Sequence, residues 1–575
     1  MIRSRASLLR LALLLSAALP AGCRPAPTTT DDPLIFTGPG WFADVTAQKG
    51  LDFVHDAGPT DSYFMPQIVG SGAALFDFDG DGRLDMLLLQ NGGPQSASKN
   101  KLYKQLPDGT FNDVSAGSGL DFAGYNMGVA IGDVNNDGYP DVLITQYGGV
   151  KLLLNHHGDG TFTDVTKEAG LDVPGWPTSA AFFDYDRDGW LDLVVVRYVD
   201  YDRTWPCGGA DGKPDYCSPK VFKGAVAMLF HNLGPQKDGG VRFEDVTAPS
   251  GLGRLPGPGL GVICADFDGD GLPDIFVAND GQPNHLWINH PDHVFTEEAV
   301  KRGVARNAMG AAEANMGVAW GDVDGDVLGD LFVTHLTNET NTLWKQGPRG
   351  AFRDETTFTQ LGRPGWHATG FGVAAGDFNN GGALDLAVVN GRVARGSPAD
   401  NPDLTPFWRP YAERNQLFAN DGQGRFRDVS TGNAPFCQTP RVTRGLAVGD
   451  VFNDGSLALL TSEIGGPARL YRNVAAPKGH WYEIRAVDPE LHREAYGAEI
   501  VVRAGDRRWV RWINPAGSFL CSNDPRAHFG LGKAESVDDI TVLWPDGYKE
   551  SFDGGPADQR RELKRKTGRP AEKAP

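Results

Sequence analysis

The chain has 575 residues, of which 75 are glycine, and it carries 73 acidic against 54 basic residues, a net charge of −19. Glycine is about 13 % of the chain, nearly twice the roughly 7 % of an average protein, which indicates a turn-rich fold. The negative charge excludes a nucleic-acid partner, because phosphate binding needs clustered Lys and Arg. The length predicts several domains or one large repeat architecture.

Residues 1–22 have the layout of a secretory signal peptide. Three arginines lie beside an apolar stretch that is too short to span a membrane. Residues 19–23 resemble a bacterial lipobox, although Pro20 holds the place where Leu is usual, so we expect lipidation of Cys23, with ordinary cleavage as the alternative. Residues 23–41 are typical of a tether. These features predict an exported protein at the bacterial cell envelope (outer membrane, periplasm or cell surface), held to the membrane through its lipid alone.

Three signals then recur seven times in a fixed order, which indicates an internal repeat. They are an acidic loop with the pattern D-x-[DN]-x-D-G-x-x-D, an L-x-x-[NQ] step, and a Phe followed two places later by an acidic residue. The loops start at Asp77, Asp133, Asp184, Asp266, Asp322, Asp377 and Asp450, the steps at Leu102, Leu152, Leu229, Leu286, Leu343, Leu417 and Leu470, and the third signal at Phe42, Phe111, Phe162, Phe243, Phe295, Phe352 and Phe426. A unit of about 50 to 55 residues fits a four-stranded blade.

The order of the signals predicts how the repeats close. The third signal stands before the first loop, at Phe42, and none follows Leu470. A chain that begins with the strand its last blade lacks can close a ring by pairing its two ends, which removes the exposed sheet edges that invite aggregation. We therefore predict an all-β fold with a seven-bladed β-propeller over residues 42–474. An open β-solenoid is the alternative.

The acidic loops predict calcium sites. Carboxylates at positions 1, 3, 5 and 9 can converge on one hard cation, while Gly at position 6 permits the turn and a backbone carbonyl near position 7 adds an oxygen. Four loops have complete ligand sets: Asp77, Asp79, Asp81 and Asp85; Asp133, Asn135, Asp137 and Asp141; Asp184, Asp186, Asp188 and Asp192; Asp266, Asp268, Asp270 and Asp274. The alternative is Asp-rich turns held by side-chain to backbone hydrogen bonds.

The other three loops are degraded to different extents. The fifth keeps Asp322, Asp324, Asp326 and Asp330, but Val327 replaces the turn glycine, which strains any positive φ required there. The sixth keeps Asp377, Asn379 and Asp385, and the seventh only Asp450 and Asp454. The sequence thus predicts four Ca²⁺ sites, with a fifth at Asp322 that is strained.

The loops with their Gly-rich preceding strands, as in residues 128–133 and 371–377, resemble the FG-GAP (VCBS-like) repeats of integrin α-subunit propellers. This resemblance implies calcium on the outer blade loops, where it serves structure more often than chemistry. Residues 475–555 carry His480-Trp481, a Tyr-Gly-Ala step at Tyr496 and a Trp-Pro-Asp-Gly turn at Trp544. They resemble the ASPIC/UnbV domain, which follows such a propeller in the cartilage acidic protein family. Association with that family's extracellular members suggests matrix or adhesion roles. Residues 556–575 are basic and are expected to be a solvated tail.

The cysteines fit an exported chain. Cys207 and Cys217 lie in a Pro/Gly-rich insertion and are predicted to form a disulfide. Cys264 lies in an apolar stretch and is expected to be a buried thiol. Spacing leaves open whether Cys437 and Cys521 pair.

No catalytic pattern such as H-E-x-x-H or G-x-S-x-G occurs, and Arg526 and His528 beside Asp524 are interpreted as a structural network. The sequence favours a monomeric calcium-binding propeller that recognises a protein or glycan at the envelope. Trp408 and Tyr411, with the loop 205–220, are candidates for an exposed aromatic rim, against simple loop packing. The alternative function is an envelope hydrolase, lyase or oxidoreductase with its centre on the propeller axis.

Overall fold

The structure, a computed structural model, describes residues 39–571 except 61, 210, 237–239 and 367. The predicted signal peptide and Cys23 lie outside these described residues. Within them, no helix is both long enough and apolar enough to cross a membrane.

Seven four-stranded antiparallel sheets form the first part of the described chain. The first strand, β1, is Phe42–Asp44, and blades 1 to 3 are β2–β5 (Ala73–Phe76, Asp85–Leu88, Lys101–Gln105, Phe111–Asp113), β6–β9 (Asn126–Gly132, Asp141–Gln146, Gly149–Asn155, Phe162–Asp164) and β10–β13 (Pro177–Phe183, Asp192–Arg197, Met228–Asn232, Phe243–Asp245). Blades 4 to 6 are β14–β17 (Gly259–Ala265, Asp274–Asn279, His285–Ile288, Thr296–Glu297), β18–β21 (Val318–Gly321, Asp330–Val333, Thr342–Gln346, Phe352–Asp354) and β22–β25 (Gly370–Gly376, Asp385–Asn390, Gln416–Asn420, Phe426–Asp428). Blade 7 combines β26–β28 (Thr443–Gly449, Ala458–Glu463, Arg469–Asn473) with β1.

The blades close into a ring, as predicted. Each innermost strand contacts the innermost strand of the next blade, and β26 contacts β2. The closure is the pairing of β1 with β28, in which Phe42 lies opposite Asn473 and Asp44 opposite Tyr471. Phe42 is buried, with its ring 5.3 Å from that of Phe378. The predicted seven-bladed β-propeller is confirmed.

Helical segments are short and lie in the connections. They are α1–α4 (Met65–Val69, Ala299–Arg302, Gly362–Gly365, Ala434–Cys437) and 3-10 turns at Ala47–Lys49, Pro219–Val221, Leu252–Arg254, Arg409–Tyr411 and Ser430–Gly432. In an antiparallel blade the connection from first to second strand and the one from second to third lie at opposite ends. The acidic loops therefore share one face of the ring, the acidic face. The insertions at 198–227 and 391–415 lie on the other, the insertion face.

The C-terminal domain has two sheets. Its strands are β29–β37: His480–Asp488, Arg493–Glu494, Glu499–Ala504, Arg507–Trp512, Ala527–Gly532, Ser536–Leu543, Lys549–Pro556, Gln559–Lys564 and Arg569–Pro570. One sheet has the order β30-β29-β33 with β36 parallel to β29, and the other the order β32-β31-β34-β35-β37. The predicted solvated tail is therefore wrong for residues 556–571. They form strands because Leu563 is buried and Arg560 and Arg565 pair with acidic side chains of the same domain.

The C-terminal domain fills the propeller axis from the acidic face. Ser518 exchanges two backbone hydrogen bonds with Val318, and Ser522 exchanges two with residues of β2. The Phe519 ring lies 4.9 Å from that of Phe371 on the inner strand of blade 6. Because these partners belong to innermost strands of different blades, the segment 517–522 runs through the centre of the ring. The axis, on which the alternative enzyme centre was placed, is thus occupied by the chain itself.

Candidate metal sites and the aromatic face

Each acidic loop is ordered first by its own backbone. In the second loop, Asp133 accepts hydrogen bonds from the N–H groups of Asp137 (3.1 Å) and Gly138 (2.8 Å). Asp141, at position 9, accepts from the N–H of Val134 (3.0 Å) and from that of Asn155 on the third strand (2.8 Å). Position 9 makes the same two bonds in the other five of the first six loops. The turn interpretation is therefore correct for the loop backbone, and it leaves other carboxylate oxygens free.

The turn at position 6 requires a left-handed backbone. Six loops have Gly there, with φ between 75° at Gly455 and 95° at Gly138. Val327 of the fifth loop is held at φ 71°. A β-branched residue in this region is a rare outlier, so the strain predicted for the fifth loop is present.

Carboxylates converge in four of the five predicted loops. Ligand atoms within 4.8 Å of one another occur in the sets Asp77, Asp79 and Asp85; Asp184, Asp186 and Asp188; Asp266, Asp268 and Asp274; Asp322, Asp324 and Asp330. Asp133, Asp137 and Asp141 of the second loop do not form such a set, and the Asn135 amide there donates to Asp137 (3.0 Å). Asp81, Asp270 and Asp326, at position 5, lie outside the sets and accept from the backbone N–H two residues on.

Several carboxylate oxygens in these sets have no hydrogen-bond donor. Asp79 Oδ1, Asp184 Oδ1 and Asp324 Oδ1 are buried without a partner. Burial, with repulsion from neighbouring carboxylates, raises the pKa of Asp184 to about 6, of Asp192 to about 7 and of Asp85 to about 8. Buried carboxylates need a compensating positive charge, so these sets of carboxylate ligands fit a hard divalent cation.

Side chains on the third strand also face the loops, which sequence reasoning missed. Lys104 contacts Asp79 and lies 3.7 Å from Asp81, and Lys345 contacts Asp324. His231 holds the same place in blade 3. The signal was available, because each is the third residue of an L-x-x-[NQ] step. The third residue is charged or titratable in blades 1, 3, 5 and 7 and apolar in the others: Lys104, Leu154, His231, Ile288, Lys345, Ala419 and Arg472.

The C-terminal domain presents arginines to the acidic face. Arg493 bridges two neighbouring loops, donating to Asn136 Oδ1 (2.9 Å) and to the Gly189 carbonyl (3.1 Å). Arg511 is buried near Asp322 and Asp377, whose charges oppose the lowering of its pKa by burial. Guanidinium groups thus add positive charge on the inner side of the loops.

At the seventh loop, two guanidinium groups contact Asp450, the aspartate at position 1. Arg560 lies 3.2 Å from Asp450 Oδ2, and Arg526 donates to the Asp450 carbonyl (3.0 Å). Arg526 also donates hydrogen bonds to both carboxylate oxygens of Asp524 and pairs with the buried Glu483 (3.2 Å). Burial lowers the pKa of His528, a neighbour in sequence, to about 4. The predicted structural network around Arg526 is present, and it joins the two domains.

The insertion face carries aromatic side chains. Trp408 is 2 % exposed and Tyr411 is fully buried, its hydroxyl donating to Asp215 (2.7 Å). The interpretation of these two residues as an exposed rim is therefore wrong, and the alternative of loop packing is correct. The loop 205–220 does reach the surface, with Trp205 49 % exposed. In this loop Cys207 and Cys217 form a disulfide, with Cα atoms 5.1 Å apart.

A continuous aromatic cluster nevertheless exists on this face. The Phe64 ring lies 4.8 Å from that of Tyr125 and 5.1 Å from that of Tyr147, and Tyr147 in turn contacts Tyr201 (6.2 Å). Phe222 continues it between Tyr201 (5.2 Å) and Trp205 (6.3 Å). Apart from the buried Phe64 and the exposed Trp205, these rings are half-buried. We call this set of six residues the aromatic face.

The remaining described cysteines are thiols. Cys264, Cys437 and Cys521 are all buried and unpaired, so the open question of a Cys437–Cys521 bond is answered in the negative here. Burial raises the pKa of Cys521 to about 12, which keeps this thiol protonated and unreactive.

Comparison with known proteins agrees with the architecture. The family described as FG-GAP-like repeat matches residues 77–144, 133–195, 266–333 and 322–388, and the family described as ASPIC and UnbV matches 488–570. The fold and its acidic loops therefore define a β-propeller of FG-GAP repeats with a C-terminal ASPIC/UnbV domain.

Proteins of known name are similar to most of this chain. Cartilage acidic protein 1 of Xenopus tropicalis is 25 % identical over 482 residues, which cover 73 % of this chain and 70 % of that protein. The human protein of that name is 24 % identical over 514 residues, with coverage of 85 % and 71 %. The repeats, the C-terminal domain and this similarity match the cartilage acidic protein family.

Solved structures show more distant likeness. A structure of an Agrocybe aegerita protein that recognises non-reducing terminal N-acetylglucosamine covers 69 % of this chain and 86 % of its own, at 14 % identity and a TM-score of 0.37. A rhamnogalacturonan lyase of Bacillus licheniformis covers 70 % and 71 %, at 14 % identity and a TM-score of 0.34. Neither resemblance bears on function.

Proposed function

We propose that this protein is an exported, lipid-anchored calcium-binding propeller that recognises a protein or glycan at the bacterial cell envelope. The observation that carries the calcium assignment is the convergence of carboxylates in four loops, three of which keep a buried oxygen without a donor. Oxygen-only ligand sets of this kind suit Ca²⁺, which takes six to eight oxygens.

The aspartates at positions 1, 3 and 9 have different contacts in these loops. The position-9 aspartate ties the second strand to the loop start and to the third strand, as Asp274 does through Phe267 (3.0 Å) and Asn289 (2.8 Å). The position-1 aspartate accepts from the N–H groups of the turn, as Asp266 does, and the position-3 aspartates Asp79 and Asp324 keep a buried oxygen without a donor. A bound Ca²⁺ supplies positive charge that relieves repulsion among these carboxylates. We infer a structural role for the ions, because the loops join strands within blades.

The recognition surface is proposed to be the aromatic face. The C-terminal domain covers the acidic face through Arg493 and Arg526, whereas the aromatic face ends in the exposed Trp205. Rigid aromatic rings with a polar tip provide contact area at low entropic cost. An exposed Arg203, with its guanidinium 4.8 Å from the Phe64 ring centre, adds a hydrogen-bond donor at the edge.

Calcium binding is tested with a matched pair of aspartates. Asp268→Asn removes a position-3 carboxylate of the convergent fourth-loop set, whereas Asp108→Asn alters an exposed turn aspartate that bonds Thr110 outside any such set. We expect the D268N variant to bind about one Ca²⁺ fewer than wild type in equilibrium dialysis, and D108N to bind as wild type does. EDTA should lower the melting temperature by several degrees. No thermal shift in EDTA, or equal binding by both variants, contradicts the assignment.

Recognition is tested on a glycan array and by envelope pull-down, each with and without calcium. The double variant Tyr201→Ala/Trp205→Ala should lose most of the signal. The control is Phe358→Ala, which removes an exposed aromatic just beyond the outermost strand of blade 5. Retention of binding by the double variant, or equal loss in the control, rules out the aromatic face as the binding surface.

Lipid anchoring is tested at Cys23. Wild type grown with a labelled fatty acid should carry the label and sediment with membranes, and Cys23→Ser should do neither. Label on the variant, or none on wild type, contradicts the anchor.

A further inference from the structure

The third blade differs from the others in chemistry. At the third residue of the L-x-x-[NQ] step the seven blades have Lys104, Leu154, His231, Ile288, Lys345, Ala419 and Arg472, so blade 3 alone places an imidazole there. His231 Nδ1 lies 3.1 Å from Asp192 Oδ1 and 3.4 Å from Asp186 Oδ2. The three ligand atoms lie within 4.8 Å of one another. An imidazole nitrogen is a poor ligand for Ca²⁺ and a good one for Zn²⁺.

We propose that blade 3 holds a zinc site formed by Asp186, Asp192 and His231. Bonds of 2.0–2.1 Å in a tetrahedral arrangement place neighbouring ligand atoms about 3.3 Å apart. The two separations from His231, 3.1 and 3.4 Å, match this spacing. Calcium, with bonds of about 2.3–2.6 Å and more ligands, requires a wider set.

A second observation at the same loop indicates a cation. Asp184 Oδ1 is buried without a hydrogen-bond partner, although the residue is only 6 % exposed. Asp184 belongs with Asp186 and Asp188 to a convergent carboxylate set, so this carboxylate lies next to Asp186, a ligand of the proposed ion. It can act as a fourth ligand or accept from a zinc-bound water. The blade therefore has acceptor capacity that its own donors do not use.

Outer contacts orient the ligands and leave a path for the ion. Asp192 is fixed by the N–H groups of Asn232 (2.8 Å) and Tyr185 (3.0 Å). The Tyr185 ring packs edge-on against the imidazole, with centroids 5.9 Å apart. Such outer contacts hold metal ligands in place. The His231 and Asp186 side chains remain partly exposed, at 21 % and 16 %, so an ion can reach them from solvent.

The zinc site does not depend on calcium binding elsewhere. It shares Asp186 and Asp192 with the calcium set predicted for the third loop, so zinc there takes the place of one calcium ion. The other loops have no histidine at this place, and they keep their oxygen-only sets. Zinc and calcium binding can accordingly fail or succeed separately.

The test uses the metal-free full chain and three variants. His231→Lys introduces the residue of blades 1 and 5, and His231→Gln keeps a neutral polar side chain. The control is His157→Gln, which alters an exposed histidine 3.6 Å from Asp137 that belongs to no such three-residue set. Co²⁺ serves as the optical probe of a tetrahedral site, and Zn²⁺ affinity follows from competition with a chromophoric chelator in saturating Ca²⁺.

We expect wild type and H157Q to bind one Co²⁺ with tetrahedral absorption bands and one Zn²⁺ at equal affinity, and both His231 variants to bind at least tenfold more weakly. Unchanged affinity in the His231 variants, or absence of the Co²⁺ bands in wild type, overturns the site. The calcium-dependent thermal shift, measured on the same samples, shows that the variants are folded. Its absence in wild type while zinc still binds contradicts the calcium proposal and leaves the zinc site standing.

Discussion

The arginine network between the two domains gives the sharpest prediction. Arg526 donates three hydrogen bonds to Asp524, one to the Asp450 carbonyl and one to Asn453 Oδ1, and it pairs with Glu483. Its side chain is 8 % exposed. Arg526→Met keeps most of the volume and removes every one of these contacts.

The expected loss of stability follows from the carboxylates that stay buried in the R526M variant. Asp524 keeps two backbone donors but no cation, and Glu483 keeps only Arg560, with its second oxygen unpartnered. Removing one partner of a buried ion pair costs about 3–5 kcal/mol, because the other charge stays buried. Since Asp450 and Asn453 belong to blade 7, the loss should loosen the docking of the C-terminal domain.

Hydrogen exchange in the axial segment measures this docking. The amides of Ser518 and Ser522 donate into innermost strands, and about 3–5 kcal/mol corresponds to a roughly 100- to 4,000-fold faster exchange at tenfold per 1.4 kcal/mol. The control, Arg503→Met, removes an exposed arginine that pairs with Asp538 (3.0 Å) and Asp539 in the same domain, and should leave the exchange of these amides nearly unchanged, because solvent screens exposed ion pairs. Equal exchange in the two variants would refute the reasoning. Adding Asp524→Asn to the R526M variant should recover part of the protection.

Three further changes test the ring, the turn and the effect of pH. Phe42→Ala empties a buried site at the ring closure and should destabilise the propeller by about 3–5 kcal/mol in denaturant unfolding; a loss under 1 kcal/mol would show that β1 does not close the ring. Gly138→Val forces a β-branched residue to φ 95° and should destabilise the protein by about 1–2 kcal/mol through backbone strain alone, because the added Cβ meets nothing closer than 3.6 Å. Val327→Gly relieves the same strain in the fifth loop and should be neutral or stabilising by up to about 1 kcal/mol. The opposite ranking of the two denaturation midpoints would contradict the strain. Burial lowers the pKa of His285 to about 4, so the unfolded chain binds the proton first, and the free energy of unfolding falls as pH falls from about 6.5 to 4. His285→Gln should make that decline shallower by up to about 1.4 kcal/mol per pH unit. Parallel pH profiles of stability in the variant and in wild type would exclude this contribution of His285.

The repeat signals predicted the propeller because blade formation is local. Each blade needs an acidic turn, an apolar second strand and a closing Phe strand within about 50 residues, and all are visible in sequence. The early copy at Phe42 was sufficient to predict closure, since a missing last strand has to come from the other terminus. The ligand sets between Asp77 and Asp330 could be predicted for the same reason, because each lies within one short loop. The structure shows that their carboxylates converge in all of these loops but the second.

The partners of those loops could not be predicted in this way. Arg493 lies 357 residues from Asn136, and Arg526 lies 73 from Asn453; no spacing rule connects such pairs. The basic residues after 556 were interpreted as a tail because charge runs are usually solvated, yet Arg560 pairs with Glu483 and Asp450. Trp408 and Tyr411 stand in a polar segment, and their burial depends on Tyr216 and Asp215 of another insertion.

By itself, the sequence determined the number of blades, the closure of the ring and the positions of the acidic loops. Each of these follows from turn chemistry and strand pattern over short distances. Only the tertiary structure decided that the C-terminal domain covers the acidic face and fills the axis, and that His231 faces Asp186 and Asp192. Those contacts depend on how distant segments pack in space, because a buried charge pairs with the opposite charge that packing brings next to it.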